Sequence, residues 1–191
     1  YRYLGDNQSA VKLYKNALAQ VDTAREAKTA AGIAQNMGDA YMNMGATAEA
    51  FRNYHKAISF GEQAKDSLFL ATSLNNIGDA HNTLGEYEKA ASYLERALDI
   101  SRAIDFQPGR LRVLLNLANT RSSQSNFNEA ESLYRQALDL SKQLRPDIPP
   151  IQIQYNLGEL YNRMGRLEQA ESFFRLSLDN SKKSGVPQGV Y

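Results

Sequence analysis

The stretch LFLATSLNNIGDAHNTLGEYEKAASYLERALDISRAI, residues 68–104, carries the fold in miniature. Leu70, Leu74, Ile77 and His81 recur at three- and four-residue steps, so they share one face of a helix. Gly85-Glu86 interrupts the pattern, and Tyr87, Ala90, Ala91, Leu94, Ala97, Leu98 and Ile100 resume it. The apolar–polar alternation of a strand is absent. The segment reads as two helices joined by a tight turn.

The same unit recurs on both sides at a spacing of 40 residues. Gly5, Gly45, Gly85 and Gly165 are in register, with Ser125 at the remaining stop, and Ala10, Ala50, Ala90, Ala130 and Ala170 keep the same beat. Tyr14, Tyr54, Tyr134 and Phe174 form a third row with Leu94 among them, and Asn36, Asn76, Asn116 and Asn156 form a fourth. Self-similarity at such a period marks a solenoid, whose neighbouring units share one core and together build an extended concave surface. The expected fold is an all-α, right-handed solenoid of about four and a half antiparallel helix pairs, in a single domain over residues 1–191. Its parts are a partial unit 1–27, units at about 28–67, 68–107, 108–147 and 148–186, and the start of a further unit at 187–191. The chain opens midway through a unit and does not begin with Met, so it reads as a piece of a longer protein.

Local signals agree with this division. A left-handed backbone is cheap for glycine, which suits Gly45, Gly85 and Gly165 to the turn inside each pair. Asn126 with Glu129 has the spacing of a capping box. Pro108 and Pro149 stand near the starts of first helices, where a missing N–H is harmless.

Bulk composition narrows the function. The 22 Lys and Arg balance 21 Asp and Glu, a net charge of +1, which gives no general pull toward nucleic acid or an anionic membrane. No apolar run approaches the ~18 residues of a membrane span. Without cysteine there is no disulfide or thiolate chemistry. His55 and His81, the only histidines, lie on different helices without ligand-spaced partners, so no metal site is expected, and His81 reads as a packing residue. No phosphate loop or dinucleotide fingerprint occurs. Catalysis is not expected, and neither is a cofactor.

Within this frame the residues resemble the tetratricopeptide repeat family, whose pattern sets Leu-Gly-x-x-Tyr on the first helix and Ala-x-x-x-Phe on the second. Leu157-Gly158-x-x-Tyr161 is followed by Ala170-x-x-x-Phe174, and Met37-Gly38-x-x-Tyr41 by Ala50-x-x-x-Tyr54. Ile77-Gly78-x-x-His81 is followed by Ala90-x-x-x-Leu94, and the loosest unit pairs Leu117-Ala118-x-x-Arg121 with Ala130-x-x-x-Tyr134. Gly38, Gly78 and Gly158 let the paired helices approach, Ala50, Ala90 and Ala170 are the small partners, and the aromatics are expected to fill space toward the next pair. Two departures stand out. Ala34, Leu74, Leu114 and Gln154 hold the usual tryptophan place, and Glu62, Arg102, Lys142 and Lys182 replace the terminal proline. The period of 40, against about 34 in the commonest form, is similar to the branch that includes kinesin light chain, bacterial peptide-sensing regulators and spindle-orientation scaffold adaptors.

The resemblance places the first helix of each pair on the inner groove. Three- and four-residue steps then put positions 72, 75, 76, 79, 82 and 83 and their 40-residue counterparts on the concave face. Asn36, Asn76, Asn116 and Asn156 make an amide row there; each amide can accept from a peptide N–H and donate to a C=O. The alternative is that these asparagines bond neighbouring helices. Asp39, Asp79, Asn119 and Glu159 form a second row that favours a ligand carrying basic residues, or else a solvated helix face. Gln35, Asn75, Leu115 and Tyr155 form a third row that turns apolar, with Leu115 and Tyr155 as a pocket for an apolar anchor. Arg112, Arg121 and Arg163 add positive charge, with Arg121 reaching toward the groove edge. The Lys/Arg clamp of relatives that bind acidic chaperone C-termini is missing.

The expected role is a protein- or peptide-binding scaffold that holds an extended segment in the concave groove, with a cytoplasmic location. The alternatives are a self-association or spacer module, with Tyr1, Tyr3 and Leu4 on an end face that could support a homodimer, and a regulatory sensor region of a larger signalling protein.

Overall fold

The computed structural model describes residues 4–184, with side chains from Asp6 onward. The expected end face at Tyr1, Tyr3 and Leu4, and the further unit at 187–191, lie outside the described side chains. Among the described residues there are nine α-helices and no strand: α1 (Leu4–Gln20), α2 (Ala27–Asn43), α3 (Thr47–Gln63), α4 (Ser67–Thr83), α5 (Tyr87–Ala103), α6 (Gln107–Ser123), α7 (Phe127–Leu144), α8 (Ile151–Arg163) and α9 (Leu167–Ser184). The pairs α2/α3, α4/α5, α6/α7 and α8/α9 pack closely, and each second helix also packs on the first helix of the next pair. One apolar cluster runs without a break from Ala50 to Ala170.

Inside each pair the turn uses a left-handed residue: Gly45, Gly85 and Gly165 have φ of 73°, 74° and 72°, and Ser125 takes the same place at 62°. The tight approach within a pair is equally specific. A Cβ on Gly38 would meet the Tyr54 ring at 2.5 Å, and one on Gly158 the Phe174 ring at 2.6 Å. Tyr54 and Phe174 therefore lie over the glycine of their own pair, and Tyr54 also faces α4 of the next one. Helix starts differ from expectation. Asn126 bonds the Glu129 carboxylate through Nδ2 at 2.6 Å and makes no side-chain bond to backbone, so there is no capping box. Asp66 is a true cap, accepting from the Phe69 N–H at 2.9 Å. Pro108 lies in the first turn of α6, and Pro150, next to Pro149, precedes α8.

Neighbouring first helices touch one another directly, α2 with α4 and α4 with α6. Arg163 to Ser122 at 2.7 Å and Asn156 to Asn119 at 3.4 Å join α8 to α6. The stack therefore curves with α2, α4, α6 and α8 on its inner wall.

Candidate functional site

The inner wall is a stripe of polar side chains. At about 100° per residue, positions 72, 76, 79 and 83 fall within a narrow arc of α4. Their counterparts on the other inner helices are in the same register. Asn36 is exposed, while Asn76, Asn116 and Asn156 are half-buried; Asp79, Glu159 and Arg112 are exposed, and Asp39 and Asn119 half-buried.

The third row departs from expectation. Asn75 is 2% exposed. It accepts from Asn116 Nδ2 at 3.1 Å and donates to Asn76 Oδ1 at 3.3 Å. Gln35 accepts from Ser73 of α4 at 2.8 Å, and Asn82 from the Thr120 hydroxyl of α6 at 3.1 Å. These positions lie roughly 70–90° round the helix from the centre of the stripe, so they face the next inner helix. Leu115 packs half-buried against the core, and Tyr155 sets its ring 5.6 Å from Phe174. Part of the amide row also serves the seam: Asn116 is tied to Asn75, while Asn156 accepts from Gln152 at 2.8 Å and donates to Asn119.

Two residues outside the rows are also placed. Arg121 does not reach the groove. Its guanidinium pairs with Glu95 of α5 and with Glu129 of α7 at 3.1 Å. His81 is a packing residue, stacked between Phe51 at 4.2 Å and Tyr93 at 5.4 Å, with Nδ1 2.6 Å from Glu86.

The first and second rows converge in two recesses. One, of about 440 Å³, lies between α2, α3 and α4 and is lined by Asp39, Met42, Asn43, Tyr54, Asn76, Asp79, Ala80 and Thr83. The other, of about 360 Å³, lies between α6, α7 and α8 and is lined by Asn119, Ser122, Ser123, Tyr134, Asn156, Glu159, Leu160 and Arg163, with Asn82 at its edge. Adding 80 to each residue number of the first reproduces the eight inner residues of the second. The recess is thus one architectural feature repeated two units apart. At the junction between them Leu94 replaces the tyrosine, and the Asn82–Thr120 bond crosses from α4 to α6.

A phenol closes the floor of each recess. Tyr54 donates to Asp39 at 2.8 Å, and Tyr134 donates to Asn119. Partial burial pushes the Asp39 carboxyl above its usual range, although the Tyr54 bond opposes the rise. Asp79 is raised for the same reason, opposed by the charge of Arg112 on the next inner helix. Tyr54 is pushed up by burial and by both carboxylates, whereas Tyr134, also raised by burial, is pulled back by Arg163. Thr83, Arg163, Met42 and Ser122 occupy position 82 or 83 or a counterpart, which the sequence put on the concave face, whereas the two tyrosines were not singled out as recess residues. The signal was present, since each pair lies 80 residues apart. No group of three metal-ligating side chains occurs among the described residues, and no described helix is long and apolar enough to cross a membrane.

Comparison with known proteins agrees with this architecture. BtubC (BKLC) from P. vanneervenii superposes with a TM-score of 0.80 at 19% identity, over 100% of this chain and 76% of that one. The nearly identical TPR-like repeats of a kinesin light chain candidate from Podosopora anserina give 0.77 at 18%, over 96% and 90%. The Rap conjugation gene regulator of the plasmid pLS20, in complex with a Phr peptide, gives 0.73 at 18%, over 95% of this chain and 50% of that one. At these identities the likeness is one of fold. No curated protein matches the chain significantly. The tetratricopeptide repeat model matches residues 29–103, 84–143 and 109–183, together about four fifths of the chain. Repeated helix pairs, the turn glycines and that match agree: the chain belongs to the tetratricopeptide repeat family.

Proposed function

We propose that this chain is a peptide-binding scaffold whose concave groove holds an extended segment of a partner protein. The observation that carries the reading is the doubled recess, opening on the inner wall beside Asn76 and Asn156. Two repeats separate the recesses, about 20 Å at the spacing of packed helices, a span that an extended peptide covers in about six residues. Along the wall the amides of exposed Asn36 and half-buried Asn76 offer donors and acceptors to a peptide backbone, whichever side chains it bears. The plasmid pLS20 regulator, a similar stack, is seen with a peptide bound, which supports the reading.

The test is capture of peptides from a random library by the immobilised chain. Asn36→Ala with Asn76→Ala, at positions that tie no neighbouring repeat through their own donors, should weaken the captured peptides at least tenfold while the melting temperature stays put. Equal retention by variant and wild type would remove the amide row from the function.

A second reading is self-association. It is favoured by Leu167, Leu176 and Leu178 on α9, which are 65%, 46% and 42% exposed. Light scattering over a concentration series separates the two, because peptide capture needs no change of mass with concentration.

A further inference from the structure

The two recesses share a shape and differ in charge. The second has a cation in its lining: Arg163, whose guanidinium donates to Ser122 at 2.7 Å and lies 5.2 Å over the Phe127 ring. Glu159 and neutral Asn119 share that lining. In the first recess those two places hold Asp79 and Asp39, and the place of Arg163 is taken by Thr83. The second recess is therefore neutral in sum, and the first has two carboxylates and no lining cation. Arg112 offsets part of the Asp79 charge from outside the recess. The field felt by the two buried phenols differs in the same sense: negative charge acts on Tyr54 and positive charge on Tyr134.

We propose that the recess between α2 and α4 receives an arginine side chain of the bound peptide, which fills the place that Arg163 fills two repeats on. The acidic pair alone would not carry this. The independent observation is that the chain itself sets an arginine in the lining of the equivalent recess, its guanidinium held by Ser122 and over Phe127. A planar guanidinium can donate to two carboxylates at once, and such charge-assisted bonds are the strong ones. The aliphatic stem would lie along Met42 and Ala80, which line the same space. The inference rests on the peptide reading of the groove and narrows it to one determinant of sequence preference.

A small probe tests the recess apart from the groove. N-acetyl-arginine N-methylamide, titrated into the protein, should give saturable NMR shifts at the Asn76 side-chain amide and at Thr83. The citrulline analogue, which matches it in shape and lacks the charge, should give none. In Asp39→Asn/Asp79→Asn the arginine shifts should vanish. Folding of that variant is expected, because the chain already carries Asn119 against Tyr134. Thr83→Arg, which copies Arg163, should block the probe at least tenfold. Equal shifts from citrulline, or shifts that survive the loss of both carboxylates, would overturn the proposal even if library peptides are captured. Probe binding without any peptide capture would instead overturn the groove reading alone.

Discussion

Tyr54 of α3 lies over Gly38 of α2 and donates its phenol hydrogen to Asp39, one residue further on, at 2.8 Å. One side chain thus seals the helix pair and orients a carboxylate at the groove. Tyr134 and Asn119 repeat the bond two units along. Leu94 and Phe174, in the same register, have no hydroxyl, and opposite them Asp79 and Glu159 are exposed.

Removing that hydroxyl should be felt in stability. Tyr54 is 4% exposed, and Tyr54→Phe would leave a half-buried carboxylate without its donor. A loss of about 1–3 kcal/mol is expected in urea unfolding. In Asp39→Asn the same substitution should do less, since a neutral amide is cheaper to leave unpaired. Equal losses in both backgrounds would mean that the bond contributes nothing specific.

Two glycines should respond in opposite directions. A Cβ on Gly78 would sit 2.7 Å from Leu94 Cγ and 3.2 Å from the Ala90 carbonyl oxygen, so Gly78→Ala should destabilise by about 1–3 kcal/mol. Gly32, inside α2, has nothing within 4 Å of that position. Gly32→Ala should stabilise by about 0.5–1 kcal/mol through helix propensity. Thermal melts of the two variants decide the matter.

Asp79 should make the wild type less stable as its carboxyl ionises. Its pKa in the fold lies above the ordinary 3.8, so the stability it contributes is complete below that value and is lost as pH rises through the raised one. Asp79→Asn should therefore melt higher than wild type at pH 7 and at the same temperature at pH 3. Because the side chain is open to solvent, the gain should stay under about 1 kcal/mol. A gap that persists at pH 3 would contradict the assignment.

His81 gives an acid limb of the opposite sign. Burial between Phe51 and Tyr93 lowers its pKa below the ordinary 6.5, against the pull of Glu86. Stability from this residue is then intact above pH 6.5 and falls as pH drops toward the depressed value, because the unfolded chain takes up the proton first. His81→Tyr, the residue found at 41 and 161, should flatten the decline in melting temperature between pH 6.5 and 5. An unchanged slope would assign the decline to other groups.

The solenoid could be read in one dimension because its requirements are local and repeated. A helix needs apolar residues at three- and four-residue steps, a pair needs a small residue at 38, 78 or 158, and a turn needs a left-handed residue at 45, 85 or 165. Each of these leaves a mark at a fixed position, and the 40-residue beat multiplies it. The inner wall was legible to the same extent, for Asn36, Asn76, Asp39 and Asp79 do lie on it. Burial of Asn75 and the turn of Arg121 toward Glu95 left no such mark. One residue along a helix is about 100° of rotation, so a modest change in how neighbouring pairs pack moves a whole row from open groove to sealed seam. That rotation is a property of the assembled stack. It comes from the fit of many side chains at once, and no single repeat records it.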